Sequence, residues 1–392
     1  MNLRSIRDIQ LKDKRVLMRV DFNVPMDKEG NIIDDNKMKA ALPTIEYVIK
    51  NEGRLILMSH LGRPKGKPNP EYSLKTVAAH LGTLLNQRVQ MAPDCIGAEA
   101  QAAVDALRPG EVLMLENVRF HAEEEKNDPA FSKKLAALGD VFVNDAFGSA
   151  HRAHSSTAGV ADFIPAYAGF LLETEVSMLR KALEHPESPR IAILGGSKVA
   201  DKLKLIKNLM DKMDVILIGG GMANTFIKAQ GHNIGKSICE NDLLNEAKGL
   251  LERSGGKCRI MLPTDVVIAP AVAADAASTQ VTVDQVPADQ MILDIGPETV
   301  KAFKEQIMQA HTIVWNGPVG VYEYAQFAQG TEEVARAIAA SKAVSVIGGG
   351  DTAAIPVSLG LEKDITHIST GGGATLEFME GKVLPGVESC EK

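Results

Sequence analysis

Short apolar runs alternate with helix-compatible stretches along almost the whole chain. In the first half the runs are "RVLMRV" (15–20), "RLILMS" (54–59), "EVLML" (111–115) and "DVFVN" (140–144). In the second half they are "RIAIL" (190–194), "DVILI" (214–218), "RIMLP" (259–263), "TIVW" (312–315), "AVSVI" (343–347) and "THIS" (366–369). Strands that alternate with helices predict βαβ units and mainly parallel sheets.

Helical patterns follow several of these runs, for example over residues 37–51 and 73–85. In "NDPAFSKKLAAL" (127–138), Asp128 is placed to cap a helix whose first position is Pro129. The stretch "GFLLETEVSMLRKALEHPESP" (169–189) predicts one amphipathic helix that ends at a Pro/Ser-rich break before a new strand.

These elements are too many for one core. A chain of 392 residues exceeds the usual size of a single domain, and this many strands would make an unusually wide sheet. We therefore expect an α/β protein with two doubly wound, Rossmann-like parallel-sheet domains joined by a hinge helix. The first domain covers residues 1–170, the hinge helix and linker cover 171–188, and the second domain covers 189–380.

Glycines gather at the predicted strand ends of the second half. The segments are "ILGGSK" (193–198), "LIGGGMAN" (217–224), "WNGPVG" (315–320), "VIGGGDT" (346–352) and "STGGGA" (369–374). Glycine lets the backbone approach a ligand closely, and a helix N-terminus offers free N–H groups to a phosphate. One such loop is ordinary turn chemistry, but the repetition favours a ligand that carries several phosphates.

Within "GGSKVADK" (195–202), Lys198 and Lys202 stand one turn apart at the start of a predicted helix, so both should share one face. Cations at a helix N-terminus oppose the macrodipole unless an anion lies beside them, so this pattern favours a phosphate site. Asp351, directly after "GGG", is a candidate carboxylate for a phosphate-bound Mg²⁺. The alternative is that Asp351 is only an N-cap.

Two other segments resemble nucleotide motifs. "QGHNIGKS" (230–237) is similar to a Walker A loop, but Gln230 occupies the first glycine position and a helix-like stretch precedes it, so we reject it. "GGGDTA" (348–353) satisfies G-x-G-x-x-A after a strand, with Glu362 or Asp364 as the downstream acid. A dinucleotide site therefore stays open at this point, although it leaves the other glycine loops unexplained.

Polar and basic side chains gather at the predicted strand ends of the first half. They are Asp21 and Asn23 in "VDFNVP", His60 and Arg63 in "SHLGR", Arg119 in "LENVRF", and Arg152 between His151 and His154 in "FGSAHRAHSS". Each arginine alone would be an ordinary surface ion-pair residue. Three at equivalent positions of parallel strands favour convergence on a small dianion such as a phosphate monoester.

Charge divides unevenly along the chain. Of the 43 Lys/Arg and 50 Asp/Glu residues, 22 of each lie in residues 1–170, so the remaining 21 and 28 carry the whole net charge of −7. This balance argues against nucleic-acid binding, which needs a broad basic surface. No apolar run could span a membrane, and the N-terminus lacks a signal-peptide pattern. The four cysteines are widely separated, which is typical of reduced thiols in a cytoplasmic protein.

The chain lacks two common catalytic signatures. It has no HExxH motif or Cys/His cluster, so we predict no zinc site, and it has no GxSxG elbow for a serine nucleophile. An anion-binding half joined by a helix to a nucleotide-binding half favours direct phosphoryl transfer across a cleft. Such transfer needs in-line positioning, surrounding cations and closure that excludes water.

The motifs as a set resemble one family. "VDFNVP", "SHLGRP", "LENVRF", "DAFGSAHRAHSS", "LGGSKVADK", "WNGPVGVYE", "GGGDTAA" and "STGGGATLEF" occur in the order and spacing of phosphoglycerate kinases. The resemblance implies a monomeric, cytoplasmic, two-domain glycolytic enzyme. It would transfer a phosphoryl group between 1,3-bisphosphoglycerate and Mg·ADP, giving 3-phosphoglycerate and ATP, and hinge motion would close the interdomain cleft. The last residues, about 381–392, would return to the first domain.

The resemblance also implies roles for individual residues. The phosphoglycerate would be held by Asp21, Asn23, Lys37, His60, Arg63, Arg119 and Arg152. The nucleotide would be held by Gly195, Lys202, Gly219, Gly220, Asn316, Glu323, Gly349, Gly350, Asp351 and Thr352. Asp351 would bind Mg²⁺, and Glu323 matches the acid that contacts the ribose. Lys37, Lys198 and Lys202 would act on the transferred group.

One position departs from the family pattern. Where that pattern reads roughly D-x-R-I-x-A-x-x-P-T-I, this chain has "DNKMKAALPTI" (35–45), so Lys37 replaces an arginine implicated in transfer. Lysine keeps the charge but lacks the planar bidentate fork. We expect retained phosphoglycerate binding and a lower kcat. Ser149, where threonine is common, is a minor change.

Two alternatives differ in class from a kinase. A nicotinamide-dependent oxidoreductase would use "GGGDTA" and bind NAD saturably, but it would not explain Lys198 and Lys202. A binding protein that closes on a phosphorylated metabolite without chemistry would have no need for a nucleotide-binding half. Titration with Mg·ADP and 3-phosphoglycerate, followed by an assay of ATP formation, separates the three.

Overall fold

The computed structural model describes residues 2–391. The chain forms two compact units. Unit 1 is the chain up to Ser177 together with the segment from Val383, and unit 2 is Met178–Lys382.

Unit 1 is built on a six-stranded sheet. Its strands are β1 (Arg15–Arg19), β2 (Arg54–Met58), β3 (Val89–Met91), β4 (Val112–Met114), β5 (Val141–Asn144) and β6 (Ala166–Ala168). All pair in parallel, in the order β3-β4-β2-β1-β5-β6. The apolar residues of β1, β2, β4 and β5 are almost completely buried, as expected for a sheet covered on both faces.

The helices of this part of the chain follow the predicted alternation. They are α1 (Asn36–Lys50), α2 (Lys75–Leu85), α3 (Ala98–Asp105), α4 (Pro129–Ala136) and α5 (Phe170–Leu183). The capping prediction is confirmed, since the Asp128 carboxylate accepts a hydrogen bond from the Phe131 N–H and Pro129 is the first helical residue. The division between the units falls inside α5, after Ser177.

Unit 2 contains a second parallel sheet and a smaller antiparallel one. Its strands are β7 (Arg190–Leu194), β8 (Val215–Ile218), β9 (Arg259–Met261), β10 (Asp265–Ala269), β11 (Thr279–Thr282), β12 (Met291–Ile295), β13 (Thr312–Asn316), β14 (Val344–Ile347) and β15 (His367–Ile368). The parallel sheet has the order β15-β14-β13-β7-β8-β9. Two parallel-sheet α/β units therefore confirm the predicted fold class.

The three-stranded sheet β11-β10-β12 was not predicted from the sequence. Residues 270–278, which link β10 to β11, are too few for a helical crossover, so these strands pair antiparallel. β11 is polar and largely exposed, so it lacks the apolar run that reveals a buried strand. The short β3 and β6 of unit 1 were missed as well.

The helices of unit 2 connect these strands. They are α6 (Leu203–Met210), α7 (Gly220–Ala229), α8 (Leu244–Glu252), α9 (Pro297–Gln309), α10 (Gln329–Ala340), α11 (Gly350–Ser358) and α12 (Gly373–Met379). Across residues 2–391, no helix combines the length and the apolar character needed to cross a membrane.

The final segment packs within unit 1. It forms α13 (Pro385–Glu388), and the Gly386 N–H donates to the Ala150 carbonyl at 2.8 Å. The Asn144 amide donates to the Gly386 carbonyl at 3.1 Å, and Leu3 pairs with Glu391 in an antiparallel bridge. The last residues thus complete the surroundings of β5 and of the chain's beginning.

Candidate functional site

The predicted anion-binding residues of unit 1 follow four strands of one sheet. Asp21 and Asn23 come after β1, His60 and Arg63 after β2, Arg119 after β4 and Arg152 after β5, while Lys37 lies in the first turn of α1. The carboxyl ends of parallel strands share one edge, and β1 separates β2 from β5 at the point where the strand order reverses. We call these seven residues the basic site.

Lys37 lies against the two polar residues that follow β1. Its Nζ is 3.4 Å from Asp21 Oδ1, and it donates to the Asn23 carbonyl at 3.2 Å. Asn23 Oδ1 accepts a hydrogen bond from the Gly62 N–H at 2.9 Å. These contacts tie the start of α1 to the loops after β1 and β2.

His60 is a buried, neutral hydrogen-bond donor. Only 5% of the residue is exposed, and Arg19 Nη2 donates to its Nδ1 at 2.8 Å. Because a guanidinium cannot accept, Nδ1 must be the acceptor and Nε2 carries the ring proton. Burial first, and then the charges of Arg19 and Arg119, lower the pKa of His60 well below its ordinary value.

Sequence reasoning missed the buried network behind His60. Arg19, which is 0% exposed, donates from Nε to Ser156 Oγ at 2.8 Å, and Ser156 Oγ donates to Glu124 at 2.6 Å. The Ser156 N–H also donates to Glu124 at 2.7 Å. A cation inside the apolar run "RVLMRV" was the available signal, because a buried strand that contains arginine needs an internal partner.

The arginines of the basic site differ in how they are held. Arg119 Nη1 donates to the Gly62 carbonyl at 3.2 Å, whereas the guanidinium groups of Arg63 and Arg152 are exposed and pair with no side chain in residues 2–391. Burial, and then Arg119 and other cations, lower the pKa of His154 to about 4. The site therefore holds positive charge that its own carboxylates do not neutralise.

In unit 2, the loops after β7, β8 and β13 pack directly on one another. The Gly196 N–H donates to the Pro318 carbonyl at 2.9 Å, and the Gly220 N–H donates to the Val319 carbonyl at 2.9 Å. A Cβ on Gly195 would lie 1.9 Å from the Pro318 carbonyl oxygen, and one on Gly219 would lie 2.6 Å from Val319. Only glycine allows this approach, so these glycines have a structural reason besides ligand binding.

Lys202 and Asn316 meet beside these loops. Lys202 Nζ donates to Asn316 Oδ1, and the Asn316 amide donates to the Gly348 carbonyl at 2.8 Å. Burial lowers the pKa of Lys202. The prediction that Lys198 and Lys202 share a helix face is wrong, because α6 begins at Leu203 and Lys198 is exposed in the preceding loop.

The start of α11 brings four predicted nucleotide residues to the same edge. Gly349 is the N-cap at φ +102°, and Gly350, Asp351 and Thr352 form the first turn. Thr352 Oγ1 accepts a hydrogen bond from the Gly317 N–H at 2.7 Å, which joins α11 to the loop after β13. The alternative that Asp351 is an N-cap is wrong, since it lies inside the helix with its carboxylate exposed.

A cavity of about 340 Å³ lies among these loops. Glu323 and Asp351 contribute to its polar wall, while Ile238, Leu293 and Val321 contribute to an apolar wall that sequence reasoning missed. Leu293 belongs to β12, which that reasoning did not predict. We call this cavity and its loops the glycine-loop site. Both carboxylates are exposed, and an exposed carboxylate beside glycine-rich loops fits the way Mg²⁺ is held together with a nucleotide.

The family model described as "Phosphoglycerate kinase" matches residues 6–382. A phosphoglycerate kinase from Pelotomaculum thermopropionicum is 54% identical over 390 residues, covering 99% of both chains. One from Moorella thermoacetica is 54% identical over 384 residues, covering 98% of both. The solved phosphoglycerate kinase structure from Coxiella burnetii has a TM-score of 0.94 at 44% identity, covering 99% of both chains. The structure from Pyrococcus horikoshii has a TM-score of 0.81 at 36% identity.

Proposed function

Because the chain belongs to the phosphoglycerate kinase family and is thus a phosphotransferase, we propose that it interconverts two substrate pairs. These are 1,3-bisphosphoglycerate with Mg·ADP, and 3-phosphoglycerate with ATP. The observation that carries this proposal is the unpaired positive charge of the basic site. Arg63 and Arg152 leave two guanidinium groups exposed and without a counter-charge at the ends of strands of one sheet, and a phosphorylated acid would supply that charge.

In this proposal the basic site holds the phosphoglycerate. Arg63, Arg119 and Arg152 bind its phosphate, because guanidinium groups match phosphate oxygens in charge and geometry. Neutral His60 donates its Nε2 proton to an oxygen of the substrate. Asp21 and Asn23 bind its hydroxyl or carboxylate groups, and Lys37 neutralises charge nearby.

The glycine-loop site holds the nucleotide in the same proposal. Gly195, Gly219 and Gly220 bring backbone close to the phosphates, and the N-termini of α7 and α11 direct N–H groups toward them. Asn316 and Thr352 fix the surrounding loops, and Glu323 binds the ribose. Asp351 would hold Mg²⁺, which supplies charge neutralisation of the phosphates when it is bound with the nucleotide.

The chemistry is direct in-line transfer. The acyl-phosphate oxygen leaves as the carboxylate of 3-phosphoglycerate while a β-phosphate oxygen of ADP bonds to the transferred phosphorus. Lys37, Lys198 and Lys202 stabilise the negative charge that spreads over that group, and no covalent enzyme intermediate is needed. Closure by hinge motion, a monomeric state and a cytoplasmic location belong to the same proposal.

Titration and turnover test the assignment together. We expect calorimetry to show saturable binding of 3-phosphoglycerate and of Mg·ADP separately, and a coupled assay to show ATP formation from 1,3-bisphosphoglycerate. Binding of both ligands without turnover would support the non-catalytic alternative, and saturable binding of NAD would support the oxidoreductase.

Substitution of one arginine tests whether the unpaired positive charge of the basic site binds phosphate. Arg152→Ala should raise the Kd for 3-phosphoglycerate by about 10- to 100-fold, since it removes a charge-assisted hydrogen bond, and should leave the Kd for Mg·ADP unchanged. Arg108→Ala is the matched control, because Arg108 is equally exposed but precedes β4 instead of following a strand. Equal losses in the two variants would contradict the proposed phosphate site.

A further inference from the structure

Asp94, Cys95 and His121 form a cluster that the proposed phosphoryl transfer does not use. Each offers one metal-ligand atom, and the three atoms lie within 4.8 Å of one another. Asp94 and Cys95 follow β3, and His121 follows the turn after β4. β3 and β4 are parallel neighbours, so the fold joins residues that form no short motif in the sequence. The prediction of no zinc site rested on such motifs alone and therefore did not consider these residues.

The cluster is held in place by its own contacts. His121 Nε2 lies 2.7 Å from Asp94 Oδ1, and the Cys95 N–H donates to the same oxygen at 2.7 Å. The ring of Phe131 packs against the His121 ring, with 5.3 Å between their centroids. A carboxylate, an imidazole and a thiol therefore lie close together before any ligand binds.

One side of the cluster is buried, and the other is open to solvent. Cys95 is 0% exposed, whereas 45% of the Asp94 side chain and 26% of the His121 side chain are exposed. Asp94 and His121 line a cavity of about 1190 Å³ in unit 1. A small ion can therefore reach the carboxylate and the imidazole from solvent and meet the sulfur behind them.

We propose that Asp94, Cys95 and His121 bind a thiophilic divalent metal of the Zn²⁺ type. The ligands would be the Cys95 thiolate, His121 Nε2 and an Asp94 carboxylate oxygen, and a water from the cavity would take the fourth position of a tetrahedral site. Thiolate and imidazole select Zn²⁺ over Mg²⁺, which prefers oxygen ligands. The site is thus separate in place and chemistry from the Mg²⁺ position proposed at Asp351.

Metal binding here is an exchange of protons for an ion, without redox change. The thiol of Cys95 gives up its proton when it binds the ion. Its proton passes to solvent as the metal–sulfur bond forms. The bound ion would clamp the loop after β3 to the turn that carries Arg119.

Cobalt absorption tests the proposal on the full chain. After dialysis against a chelator, titration with Co²⁺ should give a thiolate-to-metal charge-transfer band in the near ultraviolet that saturates at one ion per chain. Zn²⁺ should abolish this band, and Mg·ADP should leave it unchanged. Absence of the band, or its loss on adding Mg·ADP, would overturn the proposal.

Three variants and one control assign the ligands. Cys95→Ser should remove the band, and Asp94→Asn and His121→Gln should each weaken Co²⁺ binding by about tenfold or more, with circular dichroism confirming the fold. If Cys95→Ser does not fold, the Asp94 and His121 variants decide. Cys239→Ser, at a partly exposed cysteine of unit 2, should bind like the unchanged chain. A band that survives Cys95→Ser, or unchanged affinity in Asp94→Asn, would contradict the assignment.

Discussion

The basic site of unit 1 and the glycine-loop site of unit 2 are both suited to anions, but they differ in the groups that would bind them. The first uses long charged side chains at the ends of four strands, and two of its guanidinium groups have no partner in the described chain. The second uses backbone that approaches closely, with carbonyls and N–H groups of three loops bonded to one another. Anion binding by charged side chains tolerates substitutions in the surrounding loops. Anion binding by the backbone depends on how the loops pack, to within an ångström.

The largest effect should come from Arg19, the buried cation that bonds to His60 of the basic site. Arg19→Met should lower the free energy of unfolding by about 3–5 kcal/mol, because it leaves Glu124 as an uncompensated buried charge. Urea unfolding measures this. The double variant Arg19→Met/Glu124→Gln should recover much of the loss, and a double variant as unstable as the single one would show that lost packing, and not charge, is responsible.

Backbone packing in the glycine-loop site should give the next effect. Gly195→Ala puts a Cβ against the Pro318 carbonyl, which should cost about 1–3 kcal/mol of stability and weaken Mg·ADP binding by about tenfold. Calorimetry should show unchanged affinity for 3-phosphoglycerate. Gly249→Ala is the control, because its Cβ would meet no atom within 4 Å and alanine favours the helix. Loss of phosphoglycerate affinity instead would remove the distinction between the two sites.

An aspartate paired with arginine should respond to acid differently from an unpaired aspartate. In unit 2, Arg190 Nη2 lies 2.7 Å from Asp214 Oδ1, and this contact lowers the pKa of Asp214 to about 2. A depressed pKa contributes stability above the ordinary carboxyl pKa, and that stability is lost as pH falls through the folded value. The contribution is about 1 kcal/mol, since the pair is partly exposed to solvent.

Unfolding measured at several pH values checks whether the stability contributed by this pair is lost as pH falls. The stability difference between the unchanged chain and Asp214→Asn should be constant near neutral pH and shrink between about pH 4 and pH 2. Asp275→Asn, at an exposed aspartate outside any ion pair in residues 2–391, should show no such change. A difference that grows on acidification would contradict the role of the pair.

The smallest effect should be a change in kcat. Lys37→Arg restores a planar fork beside Asp21 and Asn23, and it should raise kcat by a few-fold, which corresponds to less than about 1.4 kcal/mol. The control is Lys39→Arg on the same helix, where Lys39 pairs with Asp35 instead. Steady-state kinetics of ATP formation with both variants decides the matter. An unchanged kcat in Lys37→Arg would show that lysine already meets the requirement.

Apolar periodicity was sufficient to predict much of the fold. Long buried runs such as β1 and β7 were recognisable because parallel strands are covered on both faces. β11 was not, since its residues are polar and exposed. The pairing of β10 with β11 and β12 was apparent only from the three-dimensional structure. Helix beginnings were predictable where a side chain caps them, as at Asp128, and were misplaced at Lys198, where no cap marks the start.

The candidate site was predictable where chemistry follows a strand end directly. The arginines and the glycine loops met that condition, because the carboxyl edge of a parallel sheet collects whatever follows each strand. Glu124 did not, since it lies in a run of three glutamates and only burial beside Ser156 distinguishes it. Asp94, Cys95 and His121 form a cluster only because β3 and β4 are neighbours, which no spacing rule reveals.

The position of α13 also constrains how the molecule is made. Unit 1 closes around the segment from Val383, whose Gly386 bonds to Ala150 and Asn144. Ribosomes synthesise that segment only after all of unit 2, so the contacts of Gly386 with unit 1 cannot form until nearly the whole chain has been made. Domains generally fold as units during synthesis, but unit 1 of this chain lacks α13 throughout the synthesis of unit 2.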